Sequence, residues 1–207
     1  MKRFNILLIV FLSATGFFQN ADAALTASQV MSKAAAKVMP AAPYTFNYTA
    51  SGQWNGKGTF VVEGEKFYLD MGKNKVWYNG AVMTTLNLSN NEATTVTPSG
   101  TEVREVNPLA YIGSWKTDYN AAFAKGKAVK GKYTIVLTAK KAKALAKKVI
   151  VTVNSGNFLP EKLVISVKQG GMLTLNITSV RSGGKSTASN FLYPKNKYPK
   201  VEIVDLR

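Results

Sequence analysis

Tyr44-Thr45-Phe46-Asn47-Tyr48-Thr49-Ala50 decides the fold class. Phe46, Tyr48 and Ala50 alternate with Thr45, Asn47 and Thr49, and that period of two is the pattern of a strand with one face buried. The rhythm continues outward. Phe60 and Val62 follow a glycine-rich bend at 52–58, and Phe67, Leu69 and Met71 follow a turn at Glu63-Gly64-Glu65. Met71-Gly72-Lys73-Asn74 turns into Val76-Trp77-Tyr78, and Asn79-Gly80 is a hairpin signal. Val82, Thr84 and Leu86 come next, and Ser89-Asn90-Asn91 turns into residues 93–96. Short strands joined by small turns predict an antiparallel meander.

Upstream, Thr26-Ala27-Ser28-Gln29 matches a capping box. Val30, Met31, Ala34 and Val38 then recur on one face at helical spacing, and Pro40 and Pro43 end the run, so a helix is predicted over 27–39. Downstream, Asn107-Pro108-Leu109-Ala110-Tyr111-Ile112 predicts a short helix with Asn107 as its cap and Pro108 in its first turn. Strands are predicted again at 133–137, 149–153, 163–167 and 173–177, with turns at Asn154-Ser155-Gly156-Asn157 and Gln169-Gly170-Gly171. The tail adds one strand around Phe191 and another at 201–204. Ten or eleven strands, two or three helical pieces and no internal repeat describe one large, strongly curved antiparallel sheet with helices on one face.

Before the first helix, Met1-Lys2-Arg3 precedes the apolar run Ile6-Leu7-Leu8-Ile9-Val10-Phe11-Leu12, and Ala21-Asp22-Ala23 stands before Ala24. That order predicts a secretory signal at 1–23, cleaved after Ala23, and a single domain at 24–207 in the periplasm. The apolar stretch is shorter than the roughly 20 residues of a spanning helix. Without Lys2, Arg3 and Asp22 the remaining 184 residues hold 25 basic and 10 acidic side chains, a net charge of +15. For an exported protein such a balance points to anionic surfaces, acidic segments or acidic glycans.

The chain has no histidine and no cysteine. Histidine-based acid–base chemistry, ordinary zinc sites and thiol chemistry are thereby excluded, and the scattered acids form no recognisable pair. Gly183-Gly184-Lys185-Ser186 resembles the end of a phosphate loop, but Ser179 stands where its first glycine belongs. The expectation is a binding protein, with no cofactor, no metal and no catalytic residue. Residues 125–148 carry nine lysines and no acid. Tyr133 is their one interleaved aromatic, which disfavours a base-stacking surface for nucleic acid. Lys140, Lys141, Lys143, Lys147 and Lys148 are candidates for docking to anionic headgroups or acidic partner segments, and a merely solvated hairpin edge is the alternative.

Polar residues mark the second face of every strand, so one face alone is expected to need cover. Its inward set is Phe46, Tyr48, Phe60, Phe67, Leu69, Met71 and Leu86, then Ile135, Val151, Ile165 and Leu175. Few helices are available to cover so many strands. A charge-poor cavity suited to acyl chains is one reading, and an ordinary packed core is the other.

The order of segments from Ala42 onward resembles the periplasmic outer-membrane lipoprotein carriers of the LolA type. The resemblance rests on Gly58-Thr59-Phe60-Val61-Val62 with Lys66-Phe67-Tyr68-Leu69, and on Asn107-Pro108-Leu109-Ala110-Tyr111-Ile112. It continues in Leu137-Thr138-Ala139-Lys140 leading to Val149-Ile150-Val151-Thr152-Val153, then Gly156-Asn157-Phe158-Leu159-Pro160. It closes with Asn190-Phe191-Leu192-Tyr193-Pro194 and Val201-Glu202-Ile203-Val204-Asp205. The resemblance implies a mainly β (α+β) fold: an unclosed antiparallel β half-barrel with a lid of two or three short helices. It further implies acyl chains of lipidated proteins in the cavity, with Val30, Met31, Ala34, Val38, Leu109 and Ile112 as lid. An inner-membrane release complex and an outer-membrane receptor are the implied partners of a monomer that touches membrane surfaces transiently. The family's arginine-proline pair between the second and third strands, which helps hold the lid shut, is missing: Glu63-Gly64-Glu65-Lys66 occupies that place. A basic periplasmic scaffold or binding module for acidic glycan or lipopolysaccharide, with a packed core, is the competing function.

Overall fold

In the computed structural model, which describes residues 24–126, 129–167, 170–183 and 187–207, the alternation at 44–50 becomes strand β1 (Tyr44–Gly52). It starts a meander of six strands through β2 (Gly56–Glu63), β3 (Lys66–Met71), β4 (Asn74–Tyr78), β5 (Met83–Asn87) and β6 (Glu92–Val96). A second meander, β7 (Tyr119–Phe123), β8 (Lys132–Ala139), β9 (Ala146–Asn154), β10 (Pro160–Val167) and β11 (Met172–Ser182), returns β11 to the free side of β1. Strand β12 (Glu202–Asp205) adds to β6 in parallel, whereas every other pair is antiparallel. The result is one unclosed sheet of twelve strands with β12 and β7 at its edges.

The first helix, α1 (Ala27–Val38), begins where predicted. Thr26 Oγ1 accepts the Gln29 backbone N–H at 3.2 Å, and Gln29 Oε1 accepts the Thr26 N–H at 2.8 Å. Between the meanders lie α2 (Gly100–Val106), α3 (Ala110–Gly113) and α4 (Trp115–Asp118). Asn107 does not cap the predicted helix. It terminates α2 and accepts the Leu109 N–H on its own Oδ1 at 2.8 Å, so helix resumes only at Ala110. The strand expected around Phe191 is a short 3-10 turn, Ala188–Phe191, followed by a second at Lys195–Lys197. The predicted signal at 1–23, Lys127, Gln169 and Gly184-Lys185-Ser186 lie outside the described residues.

Both faces of the sheet are covered, which corrects the expectation of one. The inner face packs under α1, and the tail lies against the outer face at β3–β6. Cross-strand register decides which side chains go where. Tyr78 opposes Met83, so both point inward, while Trp77, Thr84, Leu86 and Ala93 point outward. Leu86 is therefore not part of the inner set: it is fully buried on the opposite face under residues of the tail. A shift of one residue would exchange the two sets wholesale.

Gly58 shows how closely the inner face is fitted. It opposes Tyr48 across β1–β2, and a Cβ there would stand 2.4 Å from both the Tyr48 Oη and the backbone oxygen of Asp70. The tyrosine thus fills the space that the glycine leaves open. Gly58→Ala is expected to cost about 1–3 kcal/mol in urea unfolding through overpacking. Gly100→Ala, where an added Cβ meets nothing within 4 Å, should be neutral or stabilising. Equal stability of the two variants would show that both Tyr48 and the β3 backbone at Asp70 give way.

Candidate functional site

Ten of the eleven expected cavity residues come together in one inner-face cluster that also includes the buried stripe of α1. Phe46, Tyr48, Phe60, Phe67, Leu69, Ile135, Val151, Ile165 and Leu175 are each at most 4% exposed, and Met71 packs at their margin. Phe67 sits between Phe60 and Tyr78 at centroid distances of 5.6 and 5.5 Å. The residues expected as lid, Val30, Met31, Ala34 and Val38 of α1, belong to the same cluster, as do Leu109 and Ile112. In this conformation the layer is therefore closed and packed. Among the described residues the one buried polar residue is Thr84, on the outer face.

Beyond this packing, the helix has a few contacts at its rim. The Gly64 N–H in the β2–β3 turn donates to the Pro40 carbonyl just past α1, at 2.7 Å. The Lys33 ammonium lies 4.6 Å from the ring centre of Phe158, a residue held at φ +60° in the β9–β10 turn. A Cβ on Gly113 would stand 3.2 Å from the Met39 sulfur, so α3 touches the end of α1 directly. The β2–β3 turn lacks an arginine and meets the lid through its backbone. Its lysine, Lys66, instead pairs with Glu63 at 3.3 Å and lies over the Phe191 ring.

A cleft of about 510 Å³ opens at this seam, within the range of small-ligand pockets. Val38, Met39, Leu109 and Gly113 line it from the lid, Tyr78 and Glu65 from the sheet, and Val103 and Arg104 from α2. Val38 and Leu109 are the two expected lid residues that reach it, and none of the expected cavity residues does. Burial, and then the Glu65 charge, push the Tyr78 hydroxyl above its ordinary pKa. Sequence reasoning missed α2, although Ser99-Gly100-Thr101-Glu102 is a second capping box: Ser99 N donates to Glu102 Oε2 at 2.7 Å and Glu102 N to Ser99 Oγ at 3.3 Å. It also missed Tyr119, fully buried, whose hydroxyl accepts the Ala146 N–H at 3.2 Å.

The five docking candidates Lys140, Lys141, Lys143, Lys147 and Lys148 are exposed around the β8–β9 connection. Lys140 Nζ donates to the Lys116 carbonyl, which brings a sixth lysine to the group. A cleft of about 320 Å³ runs between Lys140, Lys141, Lys147 and neighbouring alanines. Lys132, from the same basic stretch, is neutralised by Glu161 at 2.7 Å.

A family profile described as outer membrane lipoprotein carrier protein LolA matches residues 15–170. The chain belongs to this family. A conserved protein from Thermus thermophilus, described as uncharacterized, superposes with a TM-score of 0.57 at 9% identity, over 86% of this chain and 98% of that one. The fold is shared. A LolA superfamily protein from Nitrosomonas europaea aligns at 14% identity with a TM-score of 0.38, covering 82% of this chain and 99% of its own. The lipoprotein LppX of Mycobacterium tuberculosis aligns at 11% identity with a TM-score of 0.43, over 77% and 97%. A search of curated sequences gives no significant match.

On the outer face, Asp70 anchors a polar lattice. Lys75 Nζ, the Gly72 N–H and the Tyr68 hydroxyl all donate to its carboxylate, the last two at 2.8 and 2.9 Å. Burial alone would raise its pKa, but these hydrogen bonds outweigh burial and hold it below the ordinary 3.8. A depressed carboxylate contributes stability that is present above the unfolded pKa and is lost as pH falls through the folded one. Asp70→Asn should therefore lower Tm at pH 7, and its deficit against the parent should shrink below about pH 4. Thermal unfolding at several pH values checks this, and a deficit that does not change with pH would remove the charge from the explanation.

Proposed function

We propose that this protein is a periplasmic carrier that shields the acyl chains of lipidated proteins and ferries them from the inner to the outer membrane. The observation that carries this reading is the charge-free layer under a helix fastened along its rim. Displacing α1 opens the edge of the cluster that holds Phe46, Tyr48, Phe60, Phe67, Leu69, Met71, Ile135, Val151, Ile165 and Leu175, a surface with the chemistry of an acyl-chain bed. The cleft between α1, α2 and α3 is where that displacement starts. Family membership supports the same reading and supplies its setting: an inner-membrane release complex hands over cargo, and an outer-membrane receptor takes it. Export by a signal cleaved after Ala23, and action as a monomer, complete the proposal.

The physical need for a cover is simple. Each methylene kept from water is worth about 0.8 kcal/mol, so a protein bearing acyl chains does not cross an aqueous space uncovered. Burial without covalent chemistry is reversible, which delivery requires. A basic module for acidic glycan or lipopolysaccharide, with a permanently filled core, is favoured by one observation, the tight packing of the same layer. Uptake of lipid separates the two.

The chain has no cysteine, so a lock can be introduced cleanly. Met39→Cys with Gly113→Cys joins the end of α1 to α3. The oxidised double variant is expected to lose uptake of a triacylated lipopeptide in native mass spectrometry, and dithiothreitol should restore it. Undiminished uptake with the disulfide closed would sink the lid mechanism, and no uptake by the parent or the reduced variant would favour the filled-core module.

The lysines at the β8–β9 connection are the membrane-docking surface of this proposal. Changing Lys140, Lys141, Lys143 and Lys147 to Gln should weaken binding to anionic vesicles by about two to three orders of magnitude at low salt. The parent should lose the same binding as ionic strength rises. A variant that binds these vesicles as the parent does would reduce the lysines to a solvated edge.

A further inference from the structure

The tail builds a second cleft on the outer face, remote from the lid. Its volume is about 440 Å³, and seven of its twelve lining residues lie beyond residue 170, where the family match stops. Tyr68, Trp77 and Tyr198 contribute aromatic surface, Thr45, Ser189 and Asn190 contribute hydroxyls and an amide, and Lys197 is the one charged lining side chain among the described residues. This mixture of rings and polar groups suits no acyl chain, which asks for a wall without donors.

The rings are set in place before any ligand arrives. Tyr68 lies 5.2 Å from Trp77, and its hydroxyl is held by Asp70, itself held by Lys75. Tyr193 stacks on Tyr198 at 5.8 Å and 11°, and meets Trp77 edge-on at 5.3 Å. Behind that stack the buried Tyr193 hydroxyl has no hydrogen-bond partner among the described residues. A fixed aromatic wall lowers the ordering cost of binding. The Phe191 ring, fully buried and covered by Lys66, fastens this segment of the tail to β3.

We propose that this cleft is a saccharide-binding site that takes an acidic sugar residue. The aliphatic C–H face of a pyranose packs on the partly exposed rings of Tyr68 and Tyr198, which the buried Trp77 holds in place, its hydroxyls meet Thr45 and Ser189, and its carboxylate meets Lys197. Charge complementarity favours the acidic sugar: among the described residues a lysine and no carboxylate line the cleft. A proline-rich peptide also seeks aromatic walls, but at about 3.1 Å per residue it needs a longer groove than this compact one. The site is independent of acyl-chain carriage, because it uses the opposite face of the sheet.

Isothermal titration of the folded chain with trigalacturonate, maltotriose and a proline-rich octapeptide tests the assignment. Trigalacturonate should bind saturably and more tightly than maltotriose, and the octapeptide should not bind. Tyr198→Ala should abolish trigalacturonate binding, and Lys197→Gln should weaken it about tenfold, to the level of maltotriose. Both positions are at least partly exposed, and a single cooperative thermal transition well above the titration temperature in each variant establishes that the fold survives. Absence of saturable binding, binding that survives Tyr198→Ala, or competition by the octapeptide overturns the proposal. Binding lost only when Lys140, Lys141, Lys143 and Lys147 are neutralised also overturns it, by moving the sugar to the β8–β9 surface.

Discussion

The inner face of a twelve-stranded sheet has to be kept from water by one twelve-residue helix and three shorter ones. This constraint organises the rest of the molecule. Val30, Met31, Ala34 and Val38 recur at helical spacing so that one stripe of α1 packs into the aromatic and aliphatic layer. Because α1 packs on β7, β8 and α3, much of the early meander must cover itself. It does so by crowding rings: Phe46 beside Tyr44, Phe60 against Phe67, and Phe67 against Tyr78. The Gly58–Tyr48 pair belongs to the same solution, a large ring drawn across a residue with no side chain. Curvature and ring packing together leave few strands needing a helix over them.

What the sequence carried legibly was what depends on local periodicity. Phe46, Tyr48 and Ala50 in β1, or Val149, Val151 and Val153 in β9, announce both the strand and its buried face within a few residues. The capping box at Thr26 and Gln29 announces α1 in the same way. Leu86 was misassigned because Val82, Thr84 and Leu86 form a plausible alternating set, yet the β4–β5 register points Thr84 and Leu86 outward. Nothing within the strand says so. The Trp77 side is apolar only because Tyr193, Tyr198 and Val201, more than a hundred residues later, return to cover it. The cleft at the lid seam was illegible for a related reason. It is made by the approach of Met39, Glu65, Tyr78 and Arg104 from four separate elements, and pairwise spacing along the chain cannot express that meeting. The helix α2 is a different case. Its capping box at Ser99 and Glu102 was present, but α2 buries no residue fully, so no apolar stripe drew attention to it.

The two covers of the sheet differ in kind. On the outer face the tail is bound by a buried Phe191, by stacked and edge-on rings, by the Asn91 amide donating to the Lys200 carbonyl at 2.7 Å, and by β12 pairing along β6. Backbone pairing of this sort opens only if the strand is stripped from the sheet. On the inner face α1 makes no ladder with any strand. Its main-chain hydrogen bonds are satisfied within the helix, and the bond from Gly64 to Pro40 lies at its very end. The interaction between α1 and the sheet is therefore side-chain packing, which is non-directional and replaceable by any apolar surface of similar area.

That replaceability resolves the apparent conflict between a closed core and a binding role. A large empty cavity in a protein interior forfeits packing contacts on every side, so a sheet face rich in Phe, Tyr and Leu closes on something when it holds no ligand. Here it closes on α1. In the proposed carrier, an acyl chain entering along the α1–α3 seam would replace helix contacts with methylene contacts of the same chemistry, at a net cost far smaller than exposing the layer to water. The balance between the two states is then set by differential affinity and by the rim contacts. Lys33 over Phe158, Gly64 on Pro40 and Met39 against Gly113 are few, local and chemically distinct from the layer they guard. On the proposed reading, a lid held by side-chain packing and a few rim contacts would open without rebuilding the sheet, and the same apolar face would serve both as core and as binding surface.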